Sequence, residues 1–245
     1  MEKKARVIAM IPARIGSTRL PMKNLALLAG EPMIAYAIKA ARESGVFERI
    51  VVNGDAPVFA KIAERYGVEF YLRPAELGSS TTKSDDVVRD FMAHHPAEIV
   101  CWVNPTSPLQ TGDEVRQVVE HFQEQQLDTL ITVSDAQVHA NFEGHPLNYR
   151  TDEFFAQTQD LSPVQLFVYS IMMWRTTSFM AEYAAKRHAF FVGKVGFFPV
   201  SKLSAIIIKR QEDLELAAFI LQTRKQGAAG LLHYDPVAME AQHGA

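Results

Sequence analysis

Apolar positions along this chain recur with two alternating periods. Residues 7–12 (VIAMIP) form an unbroken apolar run, the pattern of a strand buried on both faces of a sheet. Over residues 31–43 the period changes: Met33, Ile34, Ala37, Ile38 and Ala41 share one helical face, and Gly45 follows as a stop signal. The alternation continues with strands at 49–52, 68–71, 99–103 and 129–133. Between them lie helices at 56–66, ended by Gly67, at 84–94, and at 113–125, which opens on acidic residues as its dipole prefers. This order predicts an α/β fold: a mostly parallel sheet with helices on both faces and its ligands at the carboxyl ends of the strands. From 134 to 174 the helical rhythm lapses, although the apolar alternation of 167–174 supports a central strand. Glu212 and Asp213 then suit the first turn of a helix running to about Lys225.

Composition narrows the class. A chain of 245 residues, 48% hydrophobic and 22% charged, is long enough for one well-buried core, so one domain over 1–245 is expected, with 134–174 as an excursion. The net charge of -3 and pI near 6.2 argue against nucleic acid or a membrane surface as partner, so any anion site must be local. Cys101 is alone within an apolar run; it excludes a disulfide framework and a cysteine zinc site, and suits a buried inert thiol better than a nucleophile. The N-terminal apolar run is cut by Pro12 and Arg14, and no stretch is long enough to span a bilayer, so a cytoplasmic location is expected.

The candidate chemistry starts where the first strand breaks. Residues 13–24 carry Arg14, Gly16, Ser17, Thr18, Arg19 and Lys23, with Pro12 and Pro21 as punctuation. Such a loop suits a polyanion: the cations meet phosphate oxygens, Gly16 lets backbone approach, and hydroxyls add hydrogen bonds without bulk. A solvated connector would have similar composition. Neither the GxxxxGK[ST] loop nor the GxGxxG fingerprint is present, which leaves a nicotinamide-dependent enzyme a distant alternative.

The run MIPARIGSTRLPMKN resembles the signature loop of the sugar-acid cytidylyltransferases, with Arg14, Gly16, Ser17, Arg19, Pro21, Lys23 and Asn24 in register. That family activates sialic, legionaminic and pseudaminic acids, and the related Kdo enzymes carry a shorter loop. The resemblance runs from about Val7 to Ile220 and implies a nucleotide-diphospho-sugar transferase (Rossmann-like) fold. It implies that CTP and an acidic sugar are the partners, with Arg14, Gly16, Ser17, Lys23 and Asn24 at the nucleotide and Arg14 and Lys23 serving catalysis. LRPAELGSSTTKS, residues 72–84, resembles the family's base-recognition segment and makes Arg73 and Ser84 candidates for cytosine; a guanidinium can donate to its O2 and N3. NPTSPLQ resembles the QPTSPLR motif of the nonulosonate enzymes and puts Asn104, Thr106, Ser107 and Gln110 toward the sugar. The changes to Asn104 and Gln110 shorten one contact and remove a charge.

Two segments depart further from the family. Residues 134–174 are by resemblance a strand-rich dimerisation and sugar-site excursion, implying a homodimer or dimer of dimers. His139, Asn141, His145 and Asn148 are polar candidates there, though an isolated histidine more often faces water. QDLSPV matches, whereas the Asn-Gly that should follow is missing before residues 167–174. In SAIIIKRQEDLELAAFI, the positions of the family's two magnesium-binding aspartates hold Ile207 and Lys209. Transfer to the α-phosphate needs positive charge there, which carboxylate-held Mg²⁺ usually supplies. Three readings remain open. Lys209 supplies the charge itself; or Mg²⁺ enters with CTP, aided by Asp213 or Asp55; or catalysis is lost, leaving a silent paralogue that binds CTP or a sugar acid. Asp55 has an alternative role as cap of the helix that follows it, and Glu212 and Asp213 as partners of a helix dipole.

Overall fold

The structure is a computed structural model that describes residues 5–79 and 81–225. Its centre is β1 (Val7–Ala13). Val7, Ala9, Ile11 and Ala13 enter one core and Ile8 and Met10 the other, which is why the run is apolar without a break.

After the loop comes a two-residue hairpin, β2 (Leu27–Leu28) and β3 (Glu31–Pro32), then α1 (Met33–Ser44). Glu31 and Pro32 therefore belong to the hairpin, not to the helix expected from residue 31. Pro32 takes the N-cap position, and Gly45 ends the helix at φ 68°, a left-handed conformation natural to glycine. The alternation continues through β4 (Arg49–Gly54), α2 (Val58–Arg65), β5 (Glu69–Leu72), α3 (Ser84–His94), β6 (Ile99–Val103), α4 (Gly112–Glu124) and β7 (Thr129–Ala136). A second small hairpin, β8 (Asn141–Phe142) with β9 (His145–Pro146), precedes β10 (Val164–Arg175), α5 (Thr176–Lys186), β11 (Val195–Pro199) and α6 (Gln211–Lys225). The hydrophobic pattern assigned no element to α5 or β11.

The seven-stranded sheet has the order β11-β7-β10-β6-β1-β4-β5. Every neighbour pair is parallel except those of β10, which runs antiparallel to β6 and β7. Residues of α1, α2 and α4 pack on one face, and those of α3 and α5 on the other. The chain builds outward from β1 through β4 to β5, then returns across β1 by way of α3 to reach β6. Strand order thus reverses between β1 and β6, which opens a crevice at their carboxyl ends. A third apolar cluster, with Leu28, Met33, Leu109, Ile208, Leu214 and Ala217, anchors α6 and the segment before it beside that crevice.

The excursion is held by its own polar groups. Asn148 donates to the carbonyls of Val138 and Ser162, both at 2.8 Å, and accepts the Ala140 N–H, while Asn141 accepts the Tyr149 hydroxyl. His139 stacks on Phe155 at 4.1 Å, and His145 is exposed at the start of β9. The register of β10 on β7 shifts between Phe167 and Met172, with Tyr169 at φ 58°, a bulge of the kind that re-aims a strand. Cys101 is fully buried in β6, and burial pushes its thiol well above the ordinary range.

Candidate nucleotide site

A cleft of about 270 Å³ opens at the crevice. The end of β1 and its loop contribute Pro12, Arg14, Ser17, Arg19, Lys23 and Asn24. Arg73 and Ser84 approach from the β5–α3 connection, and Trp102, Asn104 and Thr106 from the end of β6. Gly16 is exposed beside the cleft, and nothing lies within 4 Å of where its Cβ would be, so the local fold would accept a larger residue there.

Two long-range contacts hold the loop. The buried Asn24 amide donates to the Arg14 carbonyl at 3.3 Å, and Asp55 accepts the Ile15 N–H at 2.9 Å. Asp55 does not cap α2, whose N-cap is Pro57 with no side-chain bond. Its carboxylate, on a side chain 7% exposed, lies 3.8 Å from Arg73 and against Gly78, where an added Cβ would come within 3.0 Å of Oδ2. Arg73 in turn donates to the carbonyls of Asn53 at 2.6 Å and Leu77 at 3.2 Å. Burial pulls the Arg73 pKa down and the Asp55 charge offsets part of that. Asp55 is therefore a strut between the phosphate-type loop and the Arg73 turn.

Lys23 is half-buried and donates to the Ile208 carbonyl at 3.0 Å. Burial, followed by the charges of Arg19 and Arg14, lowers its pKa; Asp213 acts in the opposite sense and Lys209 adds to the lowering. The segment before α6 is fastened to the rim twice, because the Ile208 N–H also donates to the Thr106 carbonyl at 2.8 Å. Arg14, Arg19 and Lys23 thus line the cleft together, an arrangement that fits a polyphosphate.

The NPTSP shelf is rigid. Asn104 accepts both the N–H and hydroxyl of Thr106 and donates to the Tyr169 carbonyl at the β10 bulge. Ser107 and Gln110 lie outside the cleft lining: the buried Ser107 donates to the Ser204 carbonyl at 2.6 Å, and the buried Gln110 donates toward Glu114 and Ser170. Trp102 was not a candidate from sequence, where it appears only as one apolar residue of a strand. Its ring lines the cleft, and its Nε1 is buried without a hydrogen-bond partner. Ser79 and Thr82 also line the cleft without having stood out in the sequence.

The residues do not offer a carboxylate cage for a divalent cation. Among the described residues, no group of three or more His, Cys, Asp or Glu side chains is placed to hold a metal ion. Asp213 uses Oδ2 to accept the N–H groups of Lys209 and Arg210 at 2.8 and 2.9 Å, capping α6. Asp55 is engaged as the strut described above.

A mostly parallel sheet with a cationic loop at its switch point suits an anionic ligand, and the comparisons name the family. The family described as cytidylyltransferase matches residues 8–225, so the chain belongs to that family. It is 26% identical over 216 residues to N-acylneuraminate cytidylyltransferase of Streptococcus agalactiae serotype V, covering 84% of this chain and 51% of that one. It is 39% identical over 121 residues to CMP-N,N'-diacetyllegionaminic acid synthase of Legionella pneumophila, covering 47% of this chain and 52% of the relative. The chain spans about half the length of these curated relatives. Its fold is shared with a CMP:2-keto-3-deoxy-manno-octonic acid synthetase solved with CTP, at TM-score 0.69, 14% identity and coverage of 90% and 100%. It is shared also with 4-diphosphocytidyl-2C-methyl-D-erythritol synthase from Anaerococcus prevotii, at TM-score 0.65, 14% identity and the same coverage.

Proposed function

We propose that this chain couples CTP to a nonulosonic or related 3-deoxy-2-keto sugar acid, yielding the CMP-sugar and pyrophosphate. The observation that carries the reading is the cleft at the switch point. It joins the loop cations Arg14, Arg19 and Lys23 to the base-side pair Arg73 and Ser84 within one cavity. In the reaction the sugar hydroxyl oxygen bonds to the α-phosphorus while the bond from that phosphorus to the bridging oxygen of the β-phosphate breaks. Pyrophosphate leaves with the electron pair, and the hydroxyl proton passes to water. The loop cations hold the phosphates and stabilise the leaving charge. Asn104 and Thr106 face the sugar.

The sugar-acid specificity indicated by the names of the curated relatives supports a nonulosonic substrate over Kdo. No helix among the described residues is long and apolar enough to cross a membrane, and a cytoplasmic protein drawing on free CTP fits this reading. The excursion presents Phe142, Leu147, Phe154, Phe155 and Leu166 to the surface, an apolar set suited to pairing with a second copy as a homodimer or dimer of dimers. Magnesium enters this scheme with the nucleotide's phosphates, not in a protein cage. A silent CTP-binding paralogue is the second reading, favoured by Ile207 and Lys209 at the place of the family's carboxylates.

Lys23→Ala tests the nucleotide assignment by calorimetry. Loss of one charge-assisted phosphate contact, at about 1.5–3 kcal/mol, predicts CTP binding weakened by roughly 10- to 150-fold. Unchanged affinity would remove the loop from the site.

A further inference from the structure

We infer that Lys209 acts with Lys23 as a fixed cationic clamp on the triphosphate, so that CTP binds without a protein-held metal. The inference rests on the CTP reading above and goes beyond it by assigning the source of positive charge. Three observations carry it. The first is the geometry of the segment before α6. Ile206 and Ile208 both pack into the third apolar cluster, and Lys209, which follows Ile208 directly, is exposed. Ile208 is fastened on both backbone atoms, its N–H to Thr106 and its carbonyl to the Lys23 ammonium, and Thr106 and Lys23 both line the cleft. Lys209 therefore starts from a backbone position fixed at the rim.

The second observation concerns the nearby carboxylates. Asp213 is held by two backbone N–H groups at the start of α6, and Asp55 by the Ile15 N–H and Arg73. Directing Asp213 Oδ2 or the Asp55 carboxylate to a metal would sacrifice a helix cap or the strut that holds the loop. The third is the accumulation of like charge. Arg14, Arg19 and Lys209 all act on Lys23 in the same unfavourable sense, and Asp213 alone opposes them. A bound polyanion relieves that repulsion, whereas a divalent cation placed among these groups would add to it. An ammonium is a point charge that suits a phosphate oxygen.

The test is calorimetric titration of CTP into the full chain in Mg²⁺ and in EDTA, with Lys209→Ala and Lys209→Arg compared to the unaltered protein. Expected is CTP affinity in EDTA within about threefold of that in Mg²⁺, falling by about tenfold or more in Lys209→Ala and kept largely intact in Lys209→Arg. Circular dichroism confirms that each variant is folded. Binding that needs Mg²⁺ overturns the inference while leaving the CTP reading standing, and so does EDTA-resistant binding that Lys209→Ala does not weaken. No CTP binding under either condition overturns the inference together with the reading beneath it.

Discussion

Replacing Asp55 by alanine should damage both the fold and the site, because one carboxylate joins two elements of the cleft. It accepts the Ile15 N–H at 2.9 Å and lies 3.8 Å from Arg73, whose side chain is only 4% exposed. Removing one partner of a buried ion pair typically costs about 3–5 kcal/mol. Here the pair is long, and Arg73 keeps the Asn53 and Leu77 carbonyls, so the cost falls to or below the bottom of that range, about 2–3 kcal/mol. For a chain of this size each 1 kcal/mol moves the melting temperature by about 2–4 °C, which predicts a fall of roughly 4–12 °C. Asp55→Asn keeps the volume and an acceptor for Ile15 and should lose about half as much. Differential scanning calorimetry measures the stability, and CTP titration of the still-folded variants measures the site. An Asp55→Ala protein that melts within about 1 °C of the parent and binds CTP normally would refute the strut.

Two further predictions follow from groups outside the candidate set. Trp102→Phe removes a buried indole N–H that has no partner while keeping an aromatic face in the cleft, so stability should hold or rise by up to about 1 kcal/mol. If a sugar acid takes that N–H, its affinity should fall by about fivefold or more in the same variant, read by competition against CTP-loaded protein; equal affinity would leave Trp102 as wall alone. His95, 8% exposed and stacked on Phe91 at 4.4 Å, has its pKa lowered first by burial and then by the Arg49 charge. Its folded pKa lies below the unfolded value near 6.5, so its contribution is complete above that pH. As the pH falls below 6.5 the unfolded chain takes up the proton first, and stability is lost down to the folded pKa. Urea midpoints measured between about pH 7.5 and 5.5 should fall less steeply in His95→Phe than in the parent; parallel slopes would count against this assignment.

Much of the fold was legible because strand and helix periods alternate cleanly from β1 to β7. The unbroken run of β1 announced burial on both faces, and the helix at Ser84–His94 and strands at Ile99–Val103 and Thr129 onward begin where the pattern placed them. Strand order was not legible. The antiparallel insertion of β10 between β6 and β7 joins residues far apart in sequence, so the alternation that marked 167–174 as a central strand did not say which strands it pairs with. The loop at Arg14 to Asn24 stood out because charge, glycine and proline crowd into a few residues. Asp55 did not, since its partner Ile15 is 40 residues away and an Asp before a helix suggests a cap. In NPTSPLQ the shelf was visible from its prolines, but the inward turn of Ser107 and Gln110 depends on Ser204, Glu114 and Ser170, which no local pattern connects to them.

The measurement that bears most directly on the central claim is pyrophosphate release from CTP with a panel of nonulosonic acids and Kdo. The account predicts stoichiometric pyrophosphate and a CMP-sugar with at least one nonulosonic acid, and none with CTP alone. CTP binding without release from any acid in the panel, in Mg²⁺ or in EDTA, would contradict a transferase and leave a nucleotide-binding paralogue.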